Sequence, residues 1–166
     1  MKGIFVVGFM GAGKSTVGRA LARRLGWSYF DLDDEIEAAE HAAISDIFAA
    51  RGESEFRRIE TEALRQLVQR DDAAVIALGG GAFTIAANRE MLRGHGSTVW
   101  LDCPLEMVQR RVAHASHRPL ARDPVAFAAL YESRRGAYGH ADIRIPIASD
   151  DPEVTVELIL SQVRLP

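Results

Sequence analysis

The densest chemistry in the sequence lies near its start, in Gly8-Phe9-Met10-Gly11-Ala12-Gly13-Lys14-Ser15. This run satisfies G-x-x-x-x-G-K-[ST], the spacing of a loop that wraps phosphate. Glycines let the backbone approach a ligand closely and turn N–H groups inward, and a following helix adds the positive end of its dipole. Lys14 suits the β- and γ-phosphates as a compact charge, and the Ser15 hydroxyl is a hard oxygen donor suited to Mg²⁺. Gly11, Ala12, Gly13, Lys14, Ser15 and Thr16 are therefore the candidate nucleotide-binding residues. Lys2 and Lys14 are the only lysines among 20 basic residues. The Asn-Lys-x-Asp element of a guanine-specific switch is thus missing, which leaves a small-molecule or nucleotide kinase, or a regulatory or mechanical ATPase.

Acceptor chemistry is suggested further on. In Phe30-Asp31-Leu32-Asp33-Asp34, period-two alternation along a strand predicts Asp31 and Asp33 on one face, near the phosphate loop if the strands are parallel. One carboxylate would support Mg²⁺ with Ser15, and the other would orient a hydroxyl and accept its proton. Helix capping is the competing role, with Asp34 the foremost candidate. Gly79-Gly80-Gly81 follows an apolar strand, where three glycines are a costly turn unless the backbone must lie close to a ligand. Arg57 and Arg58 lie on the helix carrying the Phe56 stripe, where a solvated face or a pairing of Arg57 with Glu60 is the plain reading. Arg118 lies in a polar stretch between two helices, where a solvated loop is the plain reading and a mobile arginine that neutralises transferring phosphate and excludes water is the alternative.

These residues must be positioned by alternating strands and helices. Apolar runs predict strands at Gly3 to Val7, Trp27 to Phe30, Ala74 to Leu78, Thr98 to Leu101 and Ile143 to Ile147, the last an edge strand because of Pro146. Helical periodicity predicts Lys14 to Leu25 (stopped by Gly26), a start at Glu35-Ile36-Glu37, and Ile44 to Ala50 and Glu53 to Gln69 separated by Gly52. Ile85 to Arg93, a helix opening at Pro104, Pro124 to Arg135, and a last helix from Pro152 toward Val163 complete the set. The expected fold class is α/β, a three-layer α/β/α arrangement with a five-stranded parallel sheet and ligands at the strand C-terminal ends. The 166 residues suffice for a single domain, 1–166, and no linker or repeat divides them. A composition of 48% apolar residues with net charge −3 argues against disorder and against a chain built to coat nucleic acid or membrane. Cys103 alone excludes an internal disulfide and is expected to be a buried structural thiol. The histidines show no metal-ligand spacing, and the apolar stretches are too short to span a bilayer, so a cytoplasmic protein is expected.

The loop Gly8 to Thr16, Asp31-x-Asp33, Phe56-Arg57-Arg58-Ile59-Glu60 and Leu78-Gly79-Gly80-Gly81-Ala82, in that order, resemble shikimate kinase. The resemblance implies a P-loop kinase fold and transfer of the γ-phosphate of ATP to the 3-hydroxyl of shikimate, within chorismate and aromatic amino-acid biosynthesis. It places Asp31 near Mg²⁺, Asp33 on the ring hydroxyls and in the catalytic role, Arg57 on the substrate carboxylate, and Gly79, Gly80 and Gly81 around the substrate. Arg134-Arg135-Gly136-Ala137-Tyr138 resembles the family's Arg-x-Pro-Leu-Tyr segment, with Gly136-Ala137 replacing Pro-Leu. Arg134 is thereby the second carboxylate-binding arginine; Arg135 stays open for that role, with a surface-helix position as its default. Arg118-Pro119-Leu120 resembles the arginine of a mobile lid, here about 112–124, with Ala121 where a second Leu is usual. Arg111 resembles the arginine packed on adenine, Arg110 being the alternative, and Asp151-Pro152 the adenine-side loop. The resemblance implies a monomer whose partners are ATP or ADP and shikimate. The competing functions are a kinase of another small polyol acid such as gluconate, and a non-catalytic ATP-binding regulatory protein.

Overall fold

Near-continuous apolar strands such as Ile4-Phe5-Val6-Val7 and Ala74-Val75-Ile76-Ala77 belong in a sheet covered on both faces, since neither side leaves room for polar residues. The computed structural model describes residues 3–114 and 123–165. In chain order it contains β1 (Gly3–Val7), α1 (Lys14–Leu25), β2 (Ser28–Asp31), α2 (Leu32–Glu40), α3 (Ile44–Val68), β3 (Ala74–Ala77), a 3-10 turn (Ala82–Thr84) and α4 (Ala86–Leu92). These are followed by β4 (Gly96–Asp102), α5 (Leu105–Ala113), α6 (Pro124–Tyr138), β5 (Ile143–Pro146) and α7 (Pro152–Gln162). The strands form one five-stranded sheet in the order β2-β3-β1-β4-β5. Every neighbouring pair is parallel. This is the expected α/β/α layering of the P-loop kinase type, and β5 is the edge strand predicted from Pro146. Among the described residues, no helix is long and apolar enough to cross a membrane.

The boundaries that differ have local causes. Trp27, expected to begin the second strand, instead donates its N–H to Ala22 O at 2.9 Å, closing the end of α1 around left-handed Gly26. The second strand therefore starts at Ser28. The strand β4 is longer than its apolar stretch, because Gly96 and Ser97 pair in register with Gly3 and Ile4 of β1. Gly52 interrupts α3 at φ 81°, ψ 172°, a conformation that L side chains avoid. A Cβ there would meet nothing within 4 Å, so it is the backbone angle and not crowding that calls for glycine. The break separates the two helical segments expected from sequence and sets the direction of the second, which carries Arg57.

Asp31 overturns the expectation for the paired aspartates. Its side chain accepts from Asp33 N at 3.1 Å and caps α2, so the chain is already helical at Leu32. Asp33 lies in the first helical turn, not on a strand, and the alternation used to pair it with Asp31 does not apply. Asp34, the foremost capping candidate, is exposed in the same turn and lies 3.9 Å from Arg19.

Arg135 is the second correction. Instead of lying on a solvated surface it donates to Asp102 Oδ1 at 2.7 Å and packs 5.0 Å from the Trp100 ring centroid. Arg144 Nε reaches the other carboxylate oxygen at 2.7 Å, and Asp102 is only 8% exposed. Burial raises the Asp102 pKa, but the hydrogen bonds and charges of both arginines outweigh it and hold the group below its ordinary 3.8. A carboxylate with a lowered folded-state pKa stabilises the fold above the unfolded value and loses that contribution as pH falls through the folded one. Asp102→Asn is thus expected to cost about 2 kcal/mol at pH 7, less than the 3–5 of a fully buried pair because Arg144 is half exposed. Urea midpoints should show this difference shrinking once the pH drops below the ordinary carboxylate range; a difference constant down to pH 2 would sink the assignment.

Candidate active site

Parallel strands place all their C-terminal ends on one edge of the sheet, so the functional segments converge there. These are the loop after β1, Asp31 ending β2 and the glycines after β3, with the segment after β4, which leads to Cys103 and α5, beside them. The phosphate loop adopts the form its glycines suggest. Gly11 and Gly13 have φ of 79° and 95°, and Gly13 caps α1. Val17 N bonds Gly13 O at 2.9 Å, and the first-turn amides of Lys14, Ser15 and Thr16 mark the open positive end of the helix. The Lys14 ammonium folds back onto Gly8 O at 2.8 Å and Phe9 O at 3.0 Å.

Ser15 Oγ donates to Asp31 Oδ2 at 2.8 Å. Adjacent oxygens in an octahedral Mg²⁺ shell with bonds near 2.1 Å lie about 3 Å apart. A hydroxyl and a carboxylate at that separation, both hard donors beside the loop, fit Mg²⁺. That ion typically takes one or two protein oxygens and completes its shell with phosphate and water.

The glycine triplet explains how the acceptor side is assembled. A Cβ on Gly79 would lie 2.8 Å from Asp33 Oδ1, one on Gly80 2.9 Å from Arg134 Nη1, and one on Gly81 2.6 Å from Arg57 Nη1. Each glycine thus makes room for a different side chain, and the three meet over the backbone that follows β3. None of the three has a positive φ, so it is close approach, not backbone conformation, that a side chain here would disturb, by displacing the tips of Asp33, Arg134 or Arg57. Burial raises the pKa of Asp33; the Asp31 charge adds to this, and Lys14 partly offsets it.

Both arginines are oriented by their surroundings. Arg57 Nη1 donates to Glu60 Oε1 at 2.7 Å, and Glu60 is 1% exposed. Burial raises the Glu60 pKa more than Arg57 lowers it. Arg58 turns outward to Glu55, whereas Arg57 lies against Gly81. Arg134 sits 5.7 Å over the Phe9 ring, and Phe9 is itself held edge-on by Phe127 and Tyr131. Tyr138, one helical turn beyond Arg134, donates to Gly80 O at 2.6 Å, and burial pushes its hydroxyl up to about 12. Arg134 therefore faces the triplet, whereas Arg135 is committed to Asp102.

On the far side of the phosphate loop is a cleft of about 190 Å³ lined by Ala12, Gly13, Thr16, Arg111, Asp150 and Pro152. Arg111 donates to Gly11 O at 3.0 Å and to Asp150, and its Nη1 also lies 3.7 Å from the buried Cys103 thiol. Arg110 donates to both oxygens of Asp150, at 3.3 and 3.0 Å, but is not part of the cleft lining. Of the two arginines, it is Arg111 that forms the cleft wall. Asp151 caps α7 through Glu153 N at 3.0 Å, while Pro152 supplies part of the cleft wall. Arg118, His117 and Ala121 lie outside the described residues.

Sequence reasoning did not single out Glu60, Tyr138 or Asp150 as site-supporting residues. Glu60 and Tyr138 were visible only as spacing partners of Arg57 and Arg134, and Asp150 carried no signal, because its arginine partners lie about 40 residues away.

The shikimate kinase family model matches residues 10–164. A shikimate kinase of Persephonella marina is 39% identical over 165 residues, covering 99% of this chain and 100% of that one. A shikimate kinase of Ruegeria pomeroyi is 42% identical and covers 98% of this chain and 83% of its own. Among solved structures, Acinetobacter baumannii shikimate kinase in complex with shikimate superposes with a TM-score of 0.90 at 38% identity, covering 97% of this chain and 92% of that one. With sequence, fold and the order of the site segments in agreement along nearly its whole length, the chain belongs to the shikimate kinase family.

Proposed function

We propose that the chain transfers the γ-phosphoryl group of ATP to the 3-hydroxyl of shikimate, giving shikimate 3-phosphate and ADP. The observation that carries this reading is the convergence of Asp33, Arg57 and Arg134 on three consecutive glycines beside a phosphate loop. Two fork donors suit the ring carboxylate, and a carboxylate of raised pKa suits the ring hydroxyls and the departing proton. Lys14 and the amides of Gly11, Ala12, Gly13, Ser15 and Thr16 hold the phosphates, and Arg111 flanks the base. Ser15 and Asp31 would hold Mg²⁺, which when bound neutralises charge on the phosphate oxygens. Asp33 aligns the hydroxyl for in-line attack, so catalysis rests on positioning and electrostatics.

The reading extends to a monomeric cytoplasmic domain, 1–166, with a lid at about 112–124 whose Arg118 covers the phosphates, and with neither nucleic acid nor membrane as partner. The test is a coupled assay of purified protein with ATP, Mg²⁺ and a panel of acids. Shikimate-dependent ADP release with a new phosphomonoester by ³¹P NMR is expected. Equal turnover of gluconate, or no shikimate-dependent release, overturns the proposal.

A further inference from the structure

Tyr29 touches the Ser15–Asp31 pair, and the phosphoryl-transfer reading gives it no task. It stands two residues before Asp31 on β2, so strand alternation directs both side chains to the same face. Its ring is seated on purpose-made ground. A Cβ on Gly18, inside α1, would lie 2.7 Å from Tyr29 Cε2. Gly18 has no positive φ, so its backbone does not need glycine, and a helix-interior glycine costs about 1 kcal/mol relative to alanine. The helix gives up that propensity to make room for the ring. The Arg19 guanidinium lies 5.2 Å from the ring centroid and adds a cation–π contact.

Held this way, the Tyr29 hydroxyl donates to Asp31 Oδ2 at 3.3 Å, the same oxygen that accepts from Ser15 Oγ at 2.8 Å. The other carboxylate oxygen, Oδ1, is occupied by Asp33 N at 3.1 Å. The Asp31 carboxylate is thus fixed at both ends, from three elements. Packing alone would be satisfied by phenylalanine; the hydroxyl is what reaches the carboxylate.

We propose that Tyr29 is a positioning residue that sets the orientation of the Asp31 carboxylate toward the divalent cation of the bound nucleotide. The proposal rests on the reading of Ser15 and Asp31 as Mg²⁺ ligands. At 3.3 Å the bond is long for a hydroxyl donor, so the expected effect is graded: about three- to tenfold, the range of a modest hydrogen bond.

The experiment compares the full chain with Tyr29→Phe, Asp31→Asn and the double variant. Mn²⁺ binding to the protein–ADP complex is read by electron paramagnetic resonance, beside ADP affinity without metal, half-saturating Mg²⁺ in turnover, and the thermal midpoint. Tyr29→Phe keeps the ring on Gly18 and beneath Arg19. It should weaken Mn²⁺ binding and raise half-saturating Mg²⁺ by three- to tenfold, with metal-free ADP affinity and thermal midpoint unchanged. In the Asp31→Asn background the same substitution should add nothing. Mn²⁺ affinity within twofold of wild type in Tyr29→Phe, while Asp31→Asn loses it, overturns the role of Tyr29. A shifted thermal midpoint with intact metal binding overturns it too, by making the hydroxyl a stability element. Intact Mn²⁺ binding in Asp31→Asn overturns the metal-ligand reading, and the Tyr29 proposal with it.

Discussion

Asp33→Asn is expected to lower kcat by about 10²- to 10⁴-fold, the usual worth of a positioned acid–base group, and at the same time to stabilise the folded protein. Both effects have one origin. Burial raises the pKa of this carboxylate, and the negative Asp31 nearby raises it further. A carboxyl group whose folded-state pKa exceeds its unfolded value costs stability wherever it is ionised. That cost is complete above the folded pKa and disappears as pH falls toward the ordinary 3.8. Asparagine removes the charge at similar size, so its advantage in thermal midpoint should be fullest at neutral pH and vanish in acid. The wild-type kcat/KM should fall as pH drops through the same raised pKa, because the protonated group cannot accept the hydroxyl proton. A variant that is both less stable at pH 7 and within tenfold of wild-type kcat would remove Asp33 from the catalytic role.

Loss of substrate affinity is the second large effect. Arg57→Ala removes a charge-assisted fork donor, so the KM for shikimate should rise by about 10- to 100-fold, the equivalent of one or two strong hydrogen bonds. The KM for ATP should stay within twofold, since Arg57 does not touch the phosphate loop. This variant also takes from Glu60, which is 1% exposed, its hydrogen-bonded counter-charge, leaving only the more remote Arg134. Its thermal midpoint should fall as well. Gly81→Ala separates the two consequences. The added Cβ would lie 2.6 Å from Arg57 Nη1; the guanidinium must shift from its place against the triplet, but the cation that serves Glu60 is not removed. Gly81→Ala should raise the shikimate KM at least tenfold with a smaller loss of stability than Arg57→Ala. An unchanged shikimate KM in both variants would falsify the carboxylate-binding role of Arg57.

What the sequence disclosed, and what it hid, follows the range of the interactions. The phosphate loop was readable in full because its function resides in eight consecutive residues and the helix that they open. Asp31 and Asp33 were found as a pair by the wrong route. The chain leaves the strand at Asp31, and a local hydrogen bond to Asp33 N, not alternation, sets their relation. That cap was assigned to Asp34 because β2 gives way to α2 with no turn residue between them. Arg134 and Arg135 are adjacent and chemically equal in one dimension. Asp102, 33 residues earlier, is what claims Arg135, and no local pattern signals such a pairing. Likewise the order β2-β3-β1-β4-β5 leaves no trace in any single segment. It arises from where each crossover helix lays the next strand, and it is what brings the segments after β1, β2 and β3 side by side.

The run Gly79-Gly80-Gly81 has a consequence for inheritance. Any codon change that replaces a glycine adds at least one carbon, and here each such carbon would fall within 3 Å of Asp33, Arg134 or Arg57. Every substitution at these positions therefore has to displace the tip of a side chain that the site uses. A complete library of single substitutions selected for growth on this enzyme should show a gap three residues wide, silent changes excepted. At Gly26, where a Cβ would meet nothing within 4 Å, the same library should retain asparagine, which tolerates the left-handed backbone of that helix end.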